Sequence, residues 1–283
     1  MLRRLFQRSG RNARPVTRQV QVIGLCRFSY PALGGFQRQH DSPETRARYL
    51  YSPERLEERF RLFETITLPG IRSQTDPDFI FLVVIGQDFP QRGRLEALLA
   101  DVPQTVIRAY PPRPHREVMR EAINTLRDPD AALSLQFRLD DDDAVNLCFV
   151  ARLKRAAREC RGLLLRNPKS VIDFTHGHLI RPTPRGIEAE AVVRLGWPAV
   201  AMAFPANNRM SVMNFGHHNV WREAPTILLN DPDMYLRGWH PHNDSNLQPR
   251  NGMRLLDAAG EARFKDAFGV DAERVRALWK PQD

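Results

Sequence analysis

The segment that most narrows the fold is Phe79 to Gly86, FIFLVVIG, apolar along its whole length. A strand with one wet face alternates apolar and polar residues. An unbroken apolar run of strand length needs cover on both faces, as in a parallel sheet between helical layers. Val20 to Cys26 (VQVIGLC) reads as an earlier buried strand and Gln104 to Ala109 as a short later one. Leu133 to Leu139 alternates, with Leu133, Leu135, Phe137 and Leu139 set against Ser134, Gln136 and Arg138. Helical signals fall between these strands. Ser52 stands at an N-cap with Pro53 at the first helical position. Leu56, Phe60, Phe63 and Thr67 then recur at helical spacing, predicting a helix from Pro53 to about Thr67 that Pro69 ends or kinks. Arg116 to Arg127 and a segment from about Ala144 predict two more, and Asp142 or Asp143 is placed to cap the latter. The order strand, helix, strand, strand, helix, strand, helix predicts an α/β fold with a mostly parallel sheet.

Beyond Glu159 the pattern changes. Val171 to Ile180 and Ala191 to Phe204 read as strands of mixed type, residues 207–251 as loop-rich, and Ala262 to Trp279 as a closing helix. The chain divides near Arg161 into halves of one compact unit, 19–160 and 161–283, behind a basic tail over 1–18. The 283 residues suffice for a large core without disulfides. Cys26, Cys148 and Cys160 are odd in number and form no CxxC pair, which fits reduced thiols in a cytoplasmic protein. No apolar run reaches the length of a membrane helix. The tail carries Arg3, Arg4, Arg8, Arg11, Arg14 and Arg18 without an apolar stretch, so it does not read as a secretory signal. It reads as a solvated basic arm, with Leu2, Leu5 and Phe6 offering peripheral contact with an anionic membrane as the alternative. A net charge of +9 favours anionic partners without choosing among nucleic acid, phosphorylated small molecules and membrane.

The chemistry concentrates at Asp140-Asp141-Asp142-Asp143, directly after the alternating strand. Four adjacent carboxylates repel one another, and a hard cation such as Mn²⁺ or Mg²⁺ relieves that repulsion. Ligands of open α/β sheets bind at the carboxyl ends of strands, where this run sits. A helix cap needs one or two acids rather than four. The second half offers His217-His218 and the stretch Trp239 to Asn246, WHPHNDSN, with two histidines among amide, hydroxyl and carboxyl groups.

Leu139 to Asp143 resembles the DxD motif of GT-A glycosyltransferases, and Glu64 to Gly86 resembles the helix, Ser-x-Gln-Thr-like turn and second strand of the family-2 type. RFSYPALGGFQ (Arg27 to Gln37), LFETITLPGIRSQTDPDF (Leu62 to Phe79), FRLDDDDAV (Phe137 to Val145) and HPHNDSN (His240 to Asn246) together resemble a bacterial rhamnosyltransferase family, from about Val20 to Asn251. The resemblance implies a GT-A-like mixed sheet flanked by helices, with a nucleotide-sugar-binding first half and a loop-rich acceptor-binding second half. It implies a nucleoside diphosphate sugar donor, dTDP-rhamnose by the family's name, and a glycan or lipid-linked glycan acceptor. Asp140 then contacts ribose or metal, and Asp142 binds the metal bridging the diphosphate. Asp141 or Asp143 could fill either role instead. Arg27 faces the nucleotide, and Asp88 falls where such enzymes place a base-binding acid, although Gly86 and Gln87 precede it. His242 is the late metal ligand, with His240 and His217 as alternatives. An inverting transfer also needs a base. Asp233 and Asp231 rank before Asp244, all in expected loops.

Two other readings use the same residues. A metal-dependent phosphoesterase or nuclease draws acids and histidines from several strand ends, whereas this chain has one concentrated cluster. A non-enzymatic basic protein binding nucleic acid or polysaccharide interleaves arginines with stacking aromatics. The arginines here are scattered, so no nucleic-acid partner is expected.

Overall fold

The computed structural model describes residues 20–34, 42–194, 196, 198–205, 208–240, 249 and 252–280. Four parallel strands form one side of a seven-stranded sheet: β1 (Val20–Arg27), β2 (Ile80–Gly86), β3 (Thr105–Tyr110) and β4 (Leu133–Arg138). Three strands from later in the chain complete it: β6 (Ser170–Phe174), β9 (Val200–Pro205) and β10 (Thr226–Leu229). The order is β10-β6-β9-β4-β1-β2-β3, with β9 antiparallel to both its neighbours. The fold is thus a mixed sheet flanked by helices, as expected.

The unbroken apolar run has the expected cause. In β2, Phe81, Val83 and Ile85 enter one core cluster while Leu82 and Val84 enter another on the opposite face. Helices α2 (Pro53–Leu62), α3 (Leu68–Arg72) and α6 (Phe149–Glu159) pack on the first face, and α5 (His115–Asn124) on the second. The shorter helices are α1 (Pro43–Leu50), α4 (Arg92–Leu99) and α7 (Arg161–Arg166).

A second sheet has the order β12-β8-β7-β11-β5. It comprises β5 (Ala144–Val145), β7 (His176–Thr183), β8 (Gly186–Val193), β11 (Tyr235–Gly238) and β12 (Arg254–Leu255). One of its faces packs Ile180, Ala189 and Leu236 against Phe264 and Phe268 of α8 (Ala258–Phe268) and Val275 of α9 (Ala272–Leu278). Among the described residues no helix is long and apolar enough to cross a membrane.

Several boundaries differ from the sequence reading. Pro69 does not end its helix: a π-helical stretch, Phe63–Thr67, carries α2 into α3, and the helix runs on through Pro69 to Arg72. The helix expected from Ala144 begins at Phe149, because Ala144 and Val145 pair with β11 instead. Cys148 is its N-cap, so neither Asp142 nor Asp143 caps it. The closing helix is two helices, split at Gly269, whose φ of 72° is left-handed.

Candidate active site

The acidic run follows β4 at the carboxyl edge of the sheet. Asp141, Asp142 and Asp143 are buried, while Asp140 is half-exposed. Carboxylate oxygens of Asp140, Asp142 and Asp143 lie within 4.8 Å of one another.

Cations from distant elements hold this run in place. Arg59 of α2 donates to Asp141 at 2.8 Å and lies 3.6 Å from Asp142. Arg237 of β11 meets Asp143 at 2.5 Å and Asp140 at 3.5 Å. Asp143 also accepts the Gly238 N–H at 3.0 Å. Gly238 is needed at that place, since a Cβ there would stand 2.4 Å from the Asp142 carbonyl oxygen. His240 Nε2 lies 2.9 Å from Asp142, and its Nδ1 lies 3.9 Å from Glu58. Much of the repulsion that the sequence assigned to a cation is therefore offset by arginine.

The four carboxyls are electrostatically unequal. Burial raises Asp141 to about 6 against the pull of Arg59, with Asp142 and Asp140 adding to the rise. Burial and the same neighbours hold Asp143 well above the ordinary range despite Arg237. At Asp142 burial is overcome by the His240 hydrogen bond and by Arg59, which hold its carboxyl below that range. An acid that stays ionised among reluctant ones is the natural first ligand for a hard cation.

A second group of cations lies beside the run. Arg27, at the end of β1, places Nη1 3.4 Å from His115 Nε2 at the start of α5. Burial, then the charges of Arg27 and Arg138, push the His115 imidazole down to about 3, so it stands neutral at pH 7. Arg138 ends β4, and its Nη2 is sealed from solvent without a hydrogen-bond partner. Burial lowers Arg138 to about 10; Asp140 opposes this, while Arg27, Arg116 and Arg237 add to it. Crowded guanidiniums with an unsatisfied donor favour a polyanion.

The sequence candidates fall into three groups. Arg27, Asp140, Asp141 and Asp142 converge, with His240 joining them from 98 residues away. Asp88 is an exposed turn residue after β2 on the same sheet edge, two strands from β4. Asp231 and Asp233 do not converge: they precede β11, whereas the acidic run meets its far end at Gly238. Five residue steps lead from Asp233 to Gly238, about 16 Å of extended chain. Asp233 instead accepts from His178 at 2.8 Å, and the Asp231 carbonyl accepts from Arg152. Loop position suggested them as bases; strand register sets them apart from the run. His242 and Asp244 lie outside the described residues, as does the His217 side chain.

Sequence reasoning missed Arg59, Arg138, Arg237 and His115. Only Arg138 carried a signal, as a charge at the carboxyl end of a buried strand. The Ser-x-Gln-Thr-like turn has a structural task. Gln74 donates to the Gly70 and Asn146 carbonyls and accepts from the Val150 N–H, fastening the segment that follows the acidic run.

No curated protein matches the sequence significantly. Among solved structures, residues 1–349 of S. aureus TarS in complex with UDP-GlcNAc align at 13% identity and TM-score 0.43, covering 82% of this chain and 62% of that one. The same TarS fragment in another crystal structure gives 11% and 0.41, covering 78% and 60%. The 4-diphosphocytidyl-2C-methyl-D-erythritol synthase of Anaerococcus prevotii gives 9% and 0.33, covering 74% and 86%. The chain thus spans about 60% of the length of the first TarS fragment. The model of the family described as "Putative rhamnosyl transferase" matches residues 21–251, most of the chain, and the protein belongs to that glycosyltransferase family.

Proposed function

We propose that this protein is a metal-dependent glycosyltransferase that takes a sugar from a nucleoside diphosphate carrier and delivers it to a glycan or lipid-linked glycan. One observation carries this reading: three clustered carboxylates and a set of crowded arginines share one strand-end edge. Carboxylate oxygens suit Mn²⁺ or Mg²⁺, and one or two of them suffice beside substrate phosphates. Asp142, held ionised, and the half-exposed Asp140 fit that role; Asp143 is already engaged by Arg237 and Gly238. His240 is the late histidine that reaches Asp142, and His242 remains its alternative. When bound, the metal would neutralise charge on the departing diphosphate. Arg27, Arg138 and Arg237 supply fixed positive charge to the same phosphates. Neutral His115 and the Asp88 turn are left to contact the nucleoside. The rhamnosyl donor rests on the family description, and dTDP-rhamnose is its first candidate.

Melting in the presence of UDP, dTDP or GDP, each with Mn²⁺ or with EDTA, tests the reading. A ligand bound only to the native state raises the melting temperature with the logarithm of its concentration. At least one nucleoside diphosphate should stabilise the protein more with Mn²⁺ than with EDTA. Its sugar conjugate should then be turned over. No shift with any of them, beside a strong shift with RNA or DNA, refutes the proposal.

A further inference from the structure

The acidic run occupies the carboxyl edge of the main sheet. The opposite, amino edge carries apolar side chains that the core does not use. β4 and β6 both run antiparallel to β9, so they start at the same edge. α7 ends at Arg166 and β6 begins at Ser170, which places α7 there. Leu164 of α7 enters the core. At about 100° per residue, Leu163 and Leu165 then lie on the two flanks of the helix, with Gly162 and Arg166 along its crest. Leu163 is 41% exposed and Leu165 42%, so α7 stands proud of the surface on both sides. β10 runs parallel to β6 and starts at this edge too. The turn His217–Arg222 before it holds out Trp221, 40% exposed. Single exposed leucines are ordinary; two on one short helix, with an exposed indole on the same edge, form a patch.

Charge points to the partner. From Ala144 to Val171 the chain has seven lysines and arginines and one acid, Glu159. Glu159 pairs with Arg155, and Lys154 is buried against Asp76 and Asp78. Arg158 and Arg161 are exposed and form no ion pair among the described residues. Arg166 is held by the Gly162 carbonyl rather than by an acid. Arg222 lies 4.8 Å from the Trp221 ring centre, and the exposed Glu223 is the acid beside that turn. The arm 1–18, with six arginines and no acid, joins the chain at the same edge, because Val20 pairs with Leu133 at the start of β4.

We infer that this edge docks on an anionic bilayer: Leu163, Leu165 and Trp221 enter the headgroup layer, and Arg158, Arg161 and Arg166 meet lipid phosphates. Nucleic acid would use the arginines but leave the flanks of α7 in water, so a lipid surface is the partner that uses the whole patch. The docking does not depend on the glycosyltransferase reading. Docked this way, the acidic run faces away from the bilayer.

Sedimentation with phosphatidylcholine vesicles, plain or with about 30 mol% phosphatidylglycerol, is the test. The full chain should bind the anionic vesicles and not the neutral ones. The variants below change exposed side chains, and each is first checked to melt like wild type. Arg161→Gln with Arg166→Gln should lower partitioning on the order of 25-fold, about fivefold per arginine. Leu163→Ser with Leu165→Ser should lower it about tenfold, and Trp221→Ser about fivefold. Raising salt to about 0.3 M should shrink the arginine effect and leave the leucine effect. Arg108→Gln with Arg120→Gln, exposed on β3 and α5, should change binding less than about threefold. Wild type that ignores anionic vesicles overturns the docking. Binding that survives the α7 and Trp221 variants also overturns it, since the arm 1–18 then carries the contact. An equal loss in the Arg108 and Arg120 variant overturns it as well, because diffuse charge then suffices. A gel shift with RNA in place of vesicle binding, lost with the arginines but not with the leucines, assigns the patch to nucleic acid instead.

Discussion

Asp173 offers a direct measurement of how burial governs this fold. It lies in β6, fully buried, between Val200 of β9 and Leu228 of β10. One carboxylate oxygen accepts the Gly196 N–H at 2.8 Å, and the other has no partner. Burial therefore dominates, and the Gly196 bond only partly opposes it, leaving the group at about 6 rather than 3.8. A carboxyl raised on folding contributes stability that is complete below its unfolded value and is lost as pH rises through its folded value. At about 1.4 kcal/mol per tenfold change in proton affinity, the loss is on the order of 3 kcal/mol by pH 7.5. Asp173→Asn removes the titration. Its amide still accepts from Gly196 but brings an unsatisfied donor, a burden of about 1–3 kcal/mol that does not vary with pH. Urea unfolding of both proteins from pH 4 to pH 8 cancels that offset. The stability of the variant relative to wild type should climb by about 2–3 kcal/mol across the range. At about 2–4 °C per kcal/mol, melting temperatures should diverge by several degrees. A difference that stays flat with pH would show that Asp173 ionises as a free aspartate does, and the burial argument would fail.

Arg237→Met leaves Asp143 buried without its cation, which should destabilise the protein by about 3–5 kcal/mol at pH 7. The Asp143 carboxyl is already raised, so protonation should make the loss smaller at pH 5; unfolding free energies at the two pH values check both points, and a loss under about 1 kcal/mol at pH 7 would refute the pairing. Asp142→Ala should abolish Mn²⁺-dependent stabilisation by a nucleoside diphosphate, whereas His240→Ala, which removes a neutral group, should only weaken it. Equal losses, read by melting with and without EDTA, would contradict the ranking.

The α/β class, the strand that carries the acidic run and the convergence of Arg27, Asp140, Asp141 and Asp142 were legible because each follows from local pattern: apolar runs, alternation and position at a strand end. The partners of the run were not legible, since no local rule separates Arg59 or Arg237 from the many solvated arginines of a chain with net charge +9. Asp231 and Asp233, proposed as bases from loop position, stand apart from the run for a related reason. Where Asp233 stands relative to Gly238 depends on which strands lie side by side and in what register, and β7, β8 and β11 have no apolar run to announce their pairing. Even the division near Arg161 takes its meaning from register. β4 pairs with β9 and β5 with β11, so the acidic run is joined across that division on both sides. Arg237 and Gly238 come from the second half, and Arg59 from the first. Arg59 answers Asp141 within the first half, whereas the charge of Asp143 is compensated only when the second half supplies Arg237 and Gly238. The first half alone would carry Asp142 and Asp143 without His240, Arg237 and Gly238, so any ligand held by the acidic run should report on the folding of the whole chain.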